Sequence, residues 1–293
     1  MAWTWSRPVP GILACIADSP SAGRVIEGAA LCARAWGASL RFVHFGALEA
    51  DGRRRLEHLI AQGAASPSPL VELQTDPREP ISSQVCALVA SEDCDLVVIG
   101  ALKREGAMRA VVGSTARRVA RRCRCSVLLI STEGRAPAQW TQFLVSVESA
   151  DEYVQMCQRL LPIARAASTD AEVCFAREYH SIARNLPTQI CEADPSSPAA
   201  AHRLELGELL TRLDLTGVRP RAISLPGRPG QEIARHADDA GSDLVCVLGP
   251  SEPLGMLDRL LSHPLNLLLD QLPCSALVYR TPALSRENAA WKD

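Results

Sequence analysis

Aromatic residues are scarce, at 4% of the 293 positions, and 31 lysines and arginines against 33 aspartates and glutamates leave a formal net charge of only −2. A core drawn from this composition must be largely aliphatic, and no global field attracts the chain to nucleic acid or an anionic membrane. Long apolar runs are missing too. The longest, such as Leu96-Val97-Val98-Ile99-Gly100, have strand length and fall far short of the roughly 20 residues that cross a bilayer. The segment Met1-Ala2-Trp3-Thr4-Trp5-Ser6-Arg7-Pro8 lacks the charged-then-apolar order of a signal peptide, so a cytoplasmic location is expected.

Catalytic constellations are equally absent. There is no serine elbow, no catalytic cysteine context and no cluster of carboxylates, and the six histidines are scattered. Enzymatic chemistry is therefore not expected, a slow ATPase being the one catalytic reading with any warrant. Cys123-Arg124-Cys125 has a single intervening residue and no second pair or spaced histidines to complete a zinc site, so no metal is expected.

Cysteine itself is plentiful, at eleven residues. The count is odd and the thiols lie mostly in apolar segments, which reads as buried, reduced side chains acting as small hydrophobes. A thiol-based redox sensor is the competing reading. Hydrophobic residues make up 47% and charged residues 22%, as in a globular protein, and the length suits two domains.

Apolar strands alternate with helical patterns throughout the first half, the signature of a parallel sheet covered by helices. Strands are expected at 11–16, 40–44, 70–73, 96–99 and 126–130. The stretch 21–36 has helical spacing ended by Gly37, and a polar, arginine-rich helix is expected over 52–62. Pro80 opens a further helix with Ile81, Val85, Leu88 and Val89 on its inner face. After the linker-like 132–138 the pattern starts again near Trp140, with a strand at 143–147 and Glu148 in the place of Asp18. Gly100, Gly106 and Cys125 correspond to Gly249, Gly255 and Cys274 at a constant displacement of 149, an internal repeat. Asp18 and Glu148 are only 130 apart, so about nineteen extra residues are expected between, as an extended, proline-containing loop over 176–201. The domain division follows as 1–135 and 136–293.

The segment Gly100-Ala101-Leu102-Lys103-Arg104-Glu105-Gly106, followed after Val112 by Gly113-Ser114-Thr115, resembles the nucleotide loop of the universal stress protein family, a glycine, two residues, a glycine, nine residues, then Gly-Ser or Gly-Thr. The acidic residue after the first strand and the opening of the Ser126-Val127-Leu128-Leu129-Ile130 strand also fit. The likeness covers 9–130 and, more loosely, 142–279. It implies an α/β fold of two tandem doubly wound, parallel five-stranded sheets of order 3-2-1-4-5, of the adenine nucleotide alpha hydrolase type. It also implies a stress-response or regulatory role, ATP or another adenine nucleotide as ligand of the first half, and Asp18 beside the adenosine.

The expected site is Asp18, Gly100, Lys103, Gly106, Gly113, Ser114 and Thr115, with the free amides of a helix starting near Gly113 turned to the phosphates. Lys103 replaces the family's second glycine; its side chain either obstructs the phosphate, neutralises it, or is a solvated loop tip. In the second half Glu252 takes the glycine position and Ser262-His263-Pro264 replaces Gly-Ser, so no nucleotide is expected there. Ser262 then reads as a helix cap. Arg117, Arg118, Arg121, Arg122 and Arg124 form a basic run that is either a solvated face or, through Arg117 or Arg118, support for an anionic ligand or acidic partner. The resemblance further implies that single domains pair through their last strands, which places an internal seam at 127–130 and 276–279 and leaves a homodimer and an unidentified protein partner open. The competing function is a module without nucleotide that works through dimerisation and partner binding.

Overall fold

The computed structural model describes residues 10–64, 70–92, 94–101, 112–147, 150–179, 198–228, 230–250 and 264–281. Ten strands form one sheet: β1 (Gly11–Cys15), β2 (Ser39–Phe45), β3 (Leu70–Leu73), β4 (Leu96–Ala101), β5 (Ser126–Ser131), β6 (Gln142–Ser146), β7 (Glu172–Tyr179), β8 (Arg219–Pro226), β9 (Leu244–Leu248) and β10 (Ser275–Tyr279). Their order is β3-β2-β1-β4-β5-β10-β9-β6-β7-β8. Each half is thus a parallel five-stranded array of order 3-2-1-4-5, and the halves meet through the antiparallel pair β5 and β10. The central strands β4 and β5 are apolar because both of their faces are covered.

The described helices are α1 (Ala22–Trp36), α2 (Ala50–Gly63), α3 (Ile81–Ser91), α4 (Ser114–Arg122), α5 (Ala150–Ala167), α6 (Pro198–Thr211), α7 (Gln231–Asp239) and α8 (Pro264–Gln271). Helices α1, α2, α5 and α6 pack on one face around Phe42, Trp140, Phe143 and Phe175. Helices α3, α4, α7 and α8 cover the other with Val85, Val119, Ile233 and Leu268. Helix α1 stops at Gly37, whose φ of 60° is left-handed and whose amide returns to Ala33 and Arg34. None of the described helices is long and apolar enough to cross a membrane.

At the seam Leu128 opposes Leu277, its counterpart in the repeat, flanked by Val127 with Val278 and Leu129 with Ala276. All six are fully buried. Ser126 Oγ donates to the Arg280 carbonyl at 3.4 Å and accepts from its amide at 3.1 Å, and at the other end Ser275 Oγ accepts from the Ser131 amide at 3.1 Å. Arg280, half-buried, donates to the carbonyls of Ala120 and Cys125. On the opposite face Trp36 donates from its indole to Arg159 O, and the Arg159 guanidinium lies 4.8 Å from the Trp36 ring centroid.

Three sequence expectations change. Strand pairing makes Leu96 equivalent to Leu244, since they pair with Ile12 and Phe143, a displacement of 148, whereas Ser126 and Ser275 stand 149 apart. Gly100 therefore matches Leu248 and not Gly249, and the repeat carries a one-residue step between the fourth and fifth strands. Ile12 and Phe143 are 131 apart, so the extra length between the first and fourth strands is seventeen residues. The expected loop over 176–201 is also shorter: β7 runs on to Tyr179 because β8 pairs with it as far as Pro226, and Pro198 opens α6, where its missing amide costs nothing. Lastly, α3 turns Ser82 inward, 3% exposed, and leaves Ile81 at 36%.

The thiols of Cys15, Cys32, Cys123, Cys125, Cys157, Cys174, Cys246 and Cys274 are buried and those of Cys86 and Cys94 half-buried, all of them free. Burial pushes Cys32, Cys157 and Cys274 up to about 12, whereas hydrogen bonds from Cys125 and Cys86 hold Cys123 low. Truncating Leu277 to Ala at the centre of the seam should cost about 2–5 kcal/mol, read from urea denaturation. A loss within experimental scatter would show that the seam does not carry the sheet.

Candidate functional site

Strand β1 leads to β2 on one side and its other neighbour, β4, leads to β5 on the opposite side. The carboxyl ends of β1 and β4 therefore flank the switch point of the first half, where sheets of this kind open a crevice. Three expected site elements reach this edge: Asp18 after β1, Gly100 in the last turn of β4, and the start of α4.

Helix α4 is entered through Gly113, which has φ −56° and ψ 151°, and among the described residues no side chain caps it. Its first ladder bond is Arg117 N to Gly113 O, 3.0 Å, so the amides of Ser114, Thr115 and Ala116 precede the ladder and carry the positive end of the helix dipole. Any residue can adopt the Gly113 backbone conformation. What glycine adds is open approach to those amides. Ala116, Val119 and Ala120 are buried and anchor the helix, while Ser114 is exposed and Thr115 half-buried.

A Cβ on Gly100 would lie 3.4 Å from Val25 Cγ2 and 3.5 Å from Ser21 Oγ, ordinary contacts. The position brings β4 under the start of α1 without sterically requiring glycine. Ser21 is itself buried and its hydroxyl lies 3.0 Å from that of Ser19. Lys103 and Gly106 lie outside the described residues.

Asp18 is already engaged. Arg55 Nε donates to Oδ1 at 2.9 Å and Nη2 to Oδ2 at 2.5 Å, a two-pronged pair between the loop after β1 and helix α2. The Arg55 hydrogen bond, opposed by partial desolvation, holds the Asp18 carboxyl below its ordinary value of 3.8. Gly52 on α2 makes room for it: a Cβ there would come within 2.8 Å of Oδ2. Arg53-Arg54-Arg55, read as one short basic run, is divided among partners, with Arg53 on Glu57 and Glu72, Arg54 on Asp51 and Arg55 on Asp18. An ionised carboxylate offers about four acceptor positions, so two remain on Asp18 for a ligand's N–H or O–H. Gly52 and Arg55 were missed because neither the 37-residue separation of the ion pair nor the close approach leaves a periodic trace.

The second half differs at the corresponding edge. A cavity of about 240 Å³ opens beside Ser146, Val247, Gly249 and Leu265. There Glu178 accepts from the amides of Gly230 at 2.7 Å and Ile233 at 2.9 Å, so the start of α7 is held by the protein's own carboxylate. Glu148, Glu252 and Ser262 lie outside the described residues, as does His263. Among the described residues no group of three histidine, cysteine, aspartate or glutamate side chains could hold a metal ion.

Residues 47–131 match the model of the universal stress protein family. Within the amino-terminal half, this segment is similar to a universal stress protein domain. The match takes in α2 with Arg55, strands β3 to β5 and the start of α4, though not Asp18. A functionally unknown protein from Pseudomonas aeruginosa superposes over 95% of each chain, with a TM-score of 0.68 and 16% identity. A universal stress protein from Archaeoglobus fulgidus does so over 92% of this chain and 96% of its own, with a TM-score of 0.58 and 13% identity. No curated protein sequence matches the chain. At these identities the solved structures show the fold over both halves, a tandem α/β arrangement.

Because Arg55 depresses the Asp18 value, the pair's contribution to stability is present above the ordinary aspartate range and is lost as pH falls through the folded-state value. An NMR titration should place Asp18 below 3.8, and Arg55→Gln should return it towards that value. An unchanged titration in the variant would remove the pair from the site.

Proposed function

We propose that this universal stress protein is a cytoplasmic, nucleotide-responsive regulatory protein that binds ATP or a related adenine nucleotide in its first half, uses its second half for structure and partner contact, and turns over no substrate. The observation that carries this reading is the start of α4: three amides ahead of the helical ladder, entered through Gly113 without a side-chain cap, at the switch-point edge of β1 and β4. In this reading those amides hold phosphate oxygens. Asp18 uses the acceptor positions left by Arg55 for the adenosine. Glu178 supports a second half that takes no anionic ligand, because its carboxylate lines the cavity there, held by the first amides of α7.

One observation favours the second reading, a partner-binding module without nucleotide. The Asp18–Arg55 pair satisfies both charges internally, as a fold retained for its surfaces would do.

Calorimetric titration with ATP separates the two. Micromolar binding is expected, weakened at least about tenfold by Gly113→Val, whose branched side chain crowds the helix amides, with an unchanged far-UV spectrum. Silence of the natural protein would leave the partner-binding module.

A further inference from the structure

Cys86, Cys94, Cys123 and Cys125 gather in the core beneath α3 and α4. Two of them meet from different elements. Cys86 lies on α3, Cys123 is the residue that ends α4, and the Cys86 thiol donates a hydrogen bond to Cys123. Cys125 hydrogen-bonds Cys123 as well, and Cys94 turns its thiol to the carbonyls of Gly11 at 3.4 Å and Leu96 at 3.1 Å.

The second half shows that the fold does not require this pair. Helices α3 and α7 end at Glu92 and Ala240, and the following turns carry the same bond, Cys94 N to Val89 O and Ser242 N to Ala237 O, so this stretch keeps the displacement of 148. Cys86 therefore corresponds to Ala234. Cys123 stands two residues before Cys125 as Leu272 stands two before Cys274. Ala234 and Leu272 are both buried. One half fills this space with an alanine and a leucine, the other with two thiols in contact.

Charge sorts the two thiols. Arg280 reaches from the end of β10 and donates to Ala120 O at 2.7 Å and Cys125 O at 3.4 Å, which sets a cation beside the pair. Hydrogen bonds from Cys125 and Cys86, helped by Arg280 against the effect of burial, hold Cys123 well below the ordinary thiol value, while the bond to Cys123 and burial push Cys86 up. Cys123 is thus the thiolate, the nucleophilic form. Among the described residues no three metal-ligating side chains could hold a metal ion, which leaves chemistry between two sulfurs. A cavity of about 270 Å³, with Ser82, Ser83 and Arg122 in its lining, brings solvent within one turn of α3 from Cys86.

We propose that Cys86 and Cys123 are an oxidisable pair, closed by a hydroperoxide to a disulfide that ties α3 to the end of α4. The Cys123 thiolate attacks the peroxide; an S–O bond forms, the O–O bond breaks, and the leaving alkoxide or hydroxide takes a proton to give an alcohol or water. Cys86 then loses its proton and attacks the sulfenic sulfur, forming the S–S bond while the S–O bond breaks and hydroxide leaves as water. Two thiols are oxidised by two electrons, and one hydroperoxide is reduced.

The test treats the reduced full chain with hydrogen peroxide, alkylates it and maps the peptides by mass. A Cys86–Cys123 disulfide, reversible by dithiothreitol, should form at least about tenfold faster than buried Cys157 is oxidised. In Cys86→Ala the link should vanish while dimedone traps sulfenic acid on Cys123, and in Cys123→Ala both signals should be lost. Cys86→Ala installs the residue that the second half carries in this place, so its far-UV spectrum should be unchanged. The proposal is overturned if no disulfide forms, if Cys123 is linked to Cys125 or another thiol instead, if Cys157 is oxidised as fast as Cys123, or if Cys86→Ala yields no sulfenic acid on Cys123.

Discussion

The antiparallel pairing of β5 with β10 is the constraint on which the rest of the molecule depends. Either half, taken alone, ends in a fully apolar strand with one open row of amides and carbonyls, a template for uncontrolled pairing. Joining the two strands removes both open edges at once and aligns residues that are equivalents in the repeat, Leu128 on Leu277. Ser126 and Ser275 fasten the ends of the pair, and Arg280 carries a charge into the joint only because two carbonyls receive it. With the last strands antiparallel, the carboxyl edges of the two halves point in opposite directions. The two crevices therefore open on opposite sides of one sheet, and the region around α4 and α8 becomes a junction shared by both halves.

Much of this architecture was legible beforehand because a parallel sheet buried on both faces writes itself as short apolar runs. Val97-Val98-Ile99 and Val127-Leu128-Leu129 cannot be surface segments, and Gly37 after a periodic stretch marks a left-handed helix end by its lack of a Cβ. Less legible was anything decided between elements. The phase of α3 is one such case: Ile81 fits the apolar spacing, but packing against α4 turns Ser82 inward instead. The repeat is another, since matching glycines suggested one displacement where the strand registers require two. The pairing of Asp18 with Arg55 links positions on different elements and has no local signature at all.

Two helix starts show how the same physics is resolved differently in the two halves. Each presents amides that no helical carbonyl accepts. At α7 the chain brings Glu178 across from β7, and its two oxygens take two amides, which closes the position to any other anion by charge and by occupancy. At α4, among the described residues, no side chain performs that task. The nearby acid is Asp18, and its charge is held by Arg55. Since α7 is the counterpart of α3 and α4 that of α8, the contrast lies between the two crevices and not between equivalent helices.

Helix α4 joins the switch-point crevice to the junction between the halves through one short piece of backbone. Its amino end offers amides to the switch-point crevice, and its final turns carry Arg121 and Arg122, cations suited to the negative end of a helix dipole. The helix is anchored by Ala116, Val119 and Ala120, all buried against the sheet, and by Arg117, tied to Asp270 across the junction. An anion at its amino end would therefore meet amides whose position is fixed by the sheet and by the second half together.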